Sequence, residues 1–207
     1  MSELAAPAPS LDKPSGFSLP RELPVSWLLV LIGLIAAMQL SMATGRSINW
    51  DEFWFYSQVE VVARGEFIIP LQTIHTRLFA WLPGLPGSAI DHILTARLVM
   101  WACALVTAGC IYLTAEKFAG RSTALLAVAA YMGAGYVLQH SIAFRVDPMV
   151  TALLTSALAI AARTRLNALA IIALGALIGL AAMVTIKFVL WAPAFAGIAL
   201  WRWHEEG

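Results

Sequence analysis

Six runs of apolar residues, at about 25–44, 93–115, 123–139, 148–162, 168–186 and 188–203, dominate this 207-residue chain. A helix that crosses the hydrocarbon of a bilayer needs about 20 mostly apolar residues. The runs therefore predict an all-α, polytopic transmembrane bundle of about six spans. Sixty per cent of the residues are hydrophobic, more than a soluble domain of this size can cover with polar surface. The fourth and sixth runs are short, and Pro193 predicts a kink in the sixth. A five-span arrangement, with the last two runs partly re-entrant, is the alternative.

Residues 1–24, rich in Pro, Ser and Ala, read as a disordered cytoplasmic tail, and 25–207 as one membrane module. Orientation follows the Lys and Arg residues of the short connections. With the N-terminus inside, Lys117, Arg121, Arg163, Arg165 and Arg202 are cytoplasmic, whereas Arg46, Arg64, Arg77, Arg97, Arg145 and Lys187 lie outside. The inside bias emerges once the long first loop is discounted. A net charge of +1 gives no field for nucleic acid. Cys103 and Cys110 lie seven residues apart in one run, too far along a helix for a disulfide. No metal-ligand spacing and no phosphate-binding glycine loop occurs.

The first outer loop, 45–92, is not a linker. Residues 50–63 and 70–82 both predict helices, the second with Leu71, Ile74, Leu78 and Trp81 at helical steps after Pro70. Pro83-Gly84-Leu85-Pro86-Gly87 ends it. Two aromatic-rich helices joined at Gly65-Glu66 predict a segment lying on the outer leaflet. In the fifth run, Gly175 and Gly179 predict a close helix contact.

Asp51 and Glu52 open this loop among Trp50, Phe53, Trp54, Phe55 and Tyr56. Asn49 predicts an N-cap with Glu52 closing a capping box, which accounts for one acid and, less fully, for the pair. Apolar neighbours also make a carboxylate a usable base. Asp147 before Pro148 reads as another N-cap, whereas Arg145 at the outer end of a span suits a lipid phosphate. His140 lies nearby. Lys187 interrupts Met183–Trp191 at a depth where a cation needs a partner or polar cavity. His75 and Arg77 add two phosphate donors, with an ordinary polar helix face as the plainer account. Two acids beside a group of cations suit transfer from a phosphate-activated lipid.

In this order of features the chain resembles the polyprenyl-phosphate-sugar-dependent membrane glycosyltransferases of the GT-C fold, the group of protein O-mannosyltransferases and lipid A aminoarabinose transferases. The resemblance spans about 25–200 and rests on a first span followed by Asp51-Glu52, then Arg145-Val146-Asp147, then Gly179 to Lys187. It implies inverting sugar transfer from a polyprenyl-phosphate donor to a cell-envelope lipid, glycan or protein on the outer face. Asp51, with Glu52 beside it, would be the base or acceptor-orienting acid, and Arg145 and Lys187 would hold the donor phosphate. No cofactor is expected, and use of a divalent metal differs among such enzymes. Family members are usually longer, so a partner chain supplying the C-terminal half is a further expectation. The rival readings are a non-catalytic membrane subunit and a small transporter. Charges at span ends rather than at the midplane argue against the transporter.

Overall fold

The computed structural model describes residues 24–66 and 74–206; the predicted tail, Pro70 and Leu71 lie outside them. Among the described residues all regular structure is helical. Three helices are long and apolar enough to cross a membrane: α1 (Val25–Gly45), α4 (Ala89–Ala119) and α7 (Val146–Arg163). α2 (Trp50–Ala63) and the short α3 (Ile74–Leu78) lie in the connection between α1 and α4.

The other predicted spans are shorter or broken. The third becomes α5 (Arg121–Gly133) and α6 (Gly135–His140), separated at Ala134 with extended backbone. Glycines on both sides of Ala134 remove the side-chain constraint that would keep one helix running. The fifth is α8 (Ala168–Val184), 17 residues long. The sixth opens as a 3-10 helix, Ile186–Trp191, before α9 (Ala192–Glu206). Pro193 is the second residue of α9, where its missing N–H costs nothing. Among the described residues, then, three apolar helices have full spanning length, and the other predicted runs are shorter or broken helices.

α4 and α7 form the centre. α1 and α5 cover one side of α4, while α8 and α9 pack on α7. Alanines let α7 approach its neighbours: Ala152, Ala157, Ala159, Ala161 and Ala162 are buried. On α1, Trp27, Leu29, Val30, Leu31 and Leu34 remain exposed. Such a surface suits lipid and would be an aggregation liability in water. Gly175 and Gly179 face outward, and a Cβ on either would touch nothing, so the predicted glycine contact is absent among the described residues.

The connection 45–92 is packed onto the bundle. Tyr56 and Val59 of α2 and Phe79 and Leu82 beyond α3 share one core with Ile93, Ala96, Met100 and Phe144. Gly65, at φ +73°, ends α2: its N–H donates to Val62 O and that of Glu66 to Val61 O. The helix predicted over 70–82 is a helix only from Ile74 to Leu78 within the described part, followed by a 3-10 turn at Leu82–Gly84.

Candidate functional site

The site starts from a buried carboxylate. Asn49 caps α2 and Glu52 closes the box: the Glu52 N–H donates to Asn49 Oδ1 at 3.0 Å, and the Asn49 N–H to Glu52 Oε2 at 3.1 Å. Glu52 is wholly buried. Arg97 of α4 donates to it twice, Nε to Oε1 and Nη2 to Oε2, both at 2.7 Å. The Phe144 N–H donates to Oε1 at 2.8 Å. Burial alone would raise the Glu52 pKa, but Arg97 and the N–H groups of Phe144 and Asn49 outweigh it and hold the carboxyl below its ordinary range.

Arg97 has five N–H groups, and each has an acceptor. Besides Glu52, Nη1 reaches Ala43 O and Arg46 O, and Nη2 reaches Ser47 O. It thus satisfies carbonyls at the C-terminal end of α1 while clamping the first turn of α2. Sequence reasoning counted Arg97 only as an outer charge. Its position inside an apolar run was the available signal, because a cation there needs a partner.

This clamp sets two neighbours side by side. Asp51 adjoins Glu52 and Arg145 adjoins Phe144, and Arg145 Nη1 lies 2.7 Å from Asp51 Oδ2. Arg145 Nε lies 3.3 Å from Asp147 Oδ2, and Asp147 Oδ1 lies 3.3 Å from Lys187 Nζ. Asp51, Arg145, Asp147 and Lys187 therefore form one row of alternating charge drawn from three regions of the chain. Asp51 is about half exposed at 49 %, and Lys187 is 59 % exposed. Asp147 is not the N-cap the sequence predicts. α7 begins at Val146, two residues earlier than that cap would set it, with Arg145 at the cap position, and the Asp147 carboxylate turns to the two cations instead of the helix N–H groups. It still lies in the first turn, where the helix dipole favours an acid.

A groove opens beside the row. Its mouth is lined by His140, Ser141, Asp147 and Pro148. It continues between α4 and α7 as an apolar cleft of about 560 Å³ past Tyr131, Tyr136, Thr151 and Thr155 to Leu158. The His140 ring lies 4.4 Å from that of Tyr136, and its buried Nδ1 has no partner among the described residues. The aromatic start of α2 offers a second hollow of about 360 Å³, lined by Trp50, Phe53, Trp54 and Glu60.

His75 and Arg77 are not in the row. His75 is buried between Phe55, 4.8 Å away edge to face, and Phe144, at 6.2 Å. Neither ring nitrogen has a partner among the described residues, and burial lowers its pKa to about 4. It is a neutral member of an aromatic box. Arg77 is exposed on α3. No group of three or more metal-ligating side chains occurs among the described residues. Cys103 and Cys110 are free thiols. Comparison with protein-family models, with curated proteins and with solved structures returns no match to this chain.

Proposed function

We propose that this chain is a multi-pass membrane glycosyltransferase, or the N-terminal module of one, with its N-terminus in the cytoplasm. It would act on the outer face, moving a sugar from a polyprenyl-phosphate donor to a cell-envelope acceptor. One observation carries the reading: Asp147, the member of the charge row that pairs with both Arg145 and Lys187, lines the mouth of an apolar groove. A phosphate at Lys187 and Arg145 would leave a prenyl chain free to lie between α4 and α7. The row is internally neutral, so the donor phosphate displaces Asp147 from Lys187 as it binds.

In the proposed step the acceptor oxygen attacks the anomeric carbon and a new C–O bond forms. The bond from that carbon to the phosphate oxygen breaks with inversion. The acceptor proton passes to Asp51, and polyprenyl phosphate leaves on Arg145 and Lys187. Glu52 has both oxygens engaged, so its part is to position Asp51 and Arg145. His140, at the groove mouth, is a further donor toward the phosphate.

A second reading rests on the same row. Each member already has an ionic partner, as in a structural latch, and a non-catalytic subunit assembling with a larger transferase would need no more. The two readings part on Asp51→Asn. Labelled polyprenyl-phosphate sugars are supplied to membranes that hold this chain and lack related transferases. Transfer that disappears in the variant, with insertion intact, supports the enzyme. Absence of transfer by the wild-type chain beside active controls would overturn stand-alone catalysis in favour of the subunit.

A further inference from the structure

The aromatic hollow at the start of α2 lies outside the charge row and has a chemistry of its own. Trp50, Phe53, Trp54, Ser57 and Glu60 line it. They follow one another at steps of three and four residues, so they share one face of the helix over about 15 Å. Trp50, Phe53 and Trp54 are exposed, and they border a concavity of about 360 Å³ rather than a flat patch.

The wall is held from behind. Tyr56 is buried, its Oη lies 2.5 Å from His92 Nδ1, and His92 Nε2 lies 3.0 Å from Leu85 O. A carbonyl oxygen only accepts, so in the neutral ring Nε2 carries the proton and Nδ1 accepts the Tyr56 O–H. Ser57 Oγ donates to Trp54 O at 2.7 Å, which leaves its own oxygen to accept. The indole N–H of Trp101 donates to Ala36 O, whereas those of Trp50 and Trp54 have no acceptor among the described residues. Among the described residues no Lys, Arg or His lines the hollow, and Glu60 is its one charge.

This set of groups selects a class of ligand. A sugar ring has apolar C–H faces to lay on an aromatic ring and hydroxyls to donate to Glu60 and Ser57. Its oxygens can also accept from the indole N–H groups. A quaternary ammonium would use the rings and Glu60 but gives the N–H groups nothing to bond. Aromatics turned to a lipid surface stand beside Lys and Arg, and here the charge is negative. We propose that this hollow binds a saccharide. Trp50 adjoins Asp51 in the chain, so the bound sugar belongs to the acceptor. This second step rests on the catalysis proposed above; the site itself does not.

The test is saturation-transfer NMR of the full chain in phosphatidylglycerol nanodiscs, with trisaccharides of hexoses, pentoses and N-acetylhexosamines and with tetramethylammonium. At least one saccharide is expected to receive saturation at its ring protons, and tetramethylammonium none. Trp50→Ala/Trp54→Ala is expected to weaken saccharide binding about tenfold, and Glu60→Gln about threefold. Neither tryptophan side chain belongs to the Asn49–Glu52 capping box, and melting checks the fold. Should the double variant fail to fold, Glu60→Gln alone decides. A saccharide signal that survives in the folded variants, or saturation of tetramethylammonium in place of a sugar, would overturn the site. No saccharide signal would overturn it in favour of an aromatic face turned to the leaflet. Asp51→Asn is expected to bind the saccharide as wild type does, so loss of transfer and loss of binding are read apart. Where membranes show transfer, Glu60→Gln is expected to raise the acceptor KM about threefold and leave the donor KM unchanged. An unchanged acceptor KM would overturn the acceptor role and keep the saccharide site.

Discussion

Glu52 and Arg97, 45 residues apart in the chain, meet through two parallel 2.7 Å hydrogen bonds with both side chains buried. This two-point contact joins the start of α2 to α4. Through the third bond, from Phe144 N–H to Glu52 Oε1, it also holds the loop before α7. Breaking such a pair from one side leaves an uncompensated buried charge. Glu52→Gln is therefore expected to cost about 3–5 kcal/mol in denaturant unfolding, and hydrogen exchange should rise across residues 141–145. A loss under about 1 kcal/mol would show that the pair is solvated and not the anchor described.

Lys187 tests the donor side of the proposed activity. It is well exposed and holds Asp147 at 3.3 Å, so its loss should cost little stability, about 0–1 kcal/mol. Lys187→Ala is expected to raise the donor KM about tenfold with kcat less affected, and Lys187→Arg to recover most of the loss. Unchanged donor dependence in Lys187→Ala would remove this lysine from the phosphate site.

The buried His75 predicts a pH dependence of stability. Its folded pKa, about 4, lies below the ordinary value of 6.5. The unfolded chain thus binds the extra proton first, and stability falls as pH drops from 6.5 toward 4. The full effect is about 3 kcal/mol. Glu52 acts lower, because its depressed pKa gives stability that is complete above 4.5 and lost as pH falls through the folded value. Melting between pH 6.5 and 4.5 should therefore report His75, and His75→Phe should flatten that stretch. An equal slope in both proteins would assign the effect elsewhere.

Glycines separate backbone strain from packing. Gly65 has φ +73° with open space around its Cβ position, so Gly65→Ala should destabilise by about 1 kcal/mol from conformation alone. Gly175 lies in the middle of α8 and also faces open space. Gly175→Ala should be neutral or stabilising by up to about 1 kcal/mol. A strong loss at Gly175 would instead reveal a surface packed on that face.

Much of this architecture was legible because its signals are local. Asn49 and Glu52 announce the start of α2 by their spacing, and the apolar runs announce α1, α4 and α7. Asp51, Arg145, Asp147 and Lys187 stood out as charges at span ends, and the fold brings all four together. What stayed hidden depends on distant partners. Nothing in Asp147-Pro148 says that the carboxylate prefers Arg145 and Lys187 to a cap. Nothing near His75 predicts the Phe55–Phe144 box. The break at Ala134 looked like continuous apolar sequence, since glycine permits a helix end without requiring one.

The wiring of Arg97 bears on how the protein is made. α4 carries this guanidinium two turns into its length, and every acceptor it uses belongs to residues 43–52. Released alone into lipid, α4 would expose five N–H groups with no acceptor, a penalty the bilayer does not offset. In a bilayer, α4 is therefore expected to settle only with the end of α1 and the loop behind it at hand as acceptors.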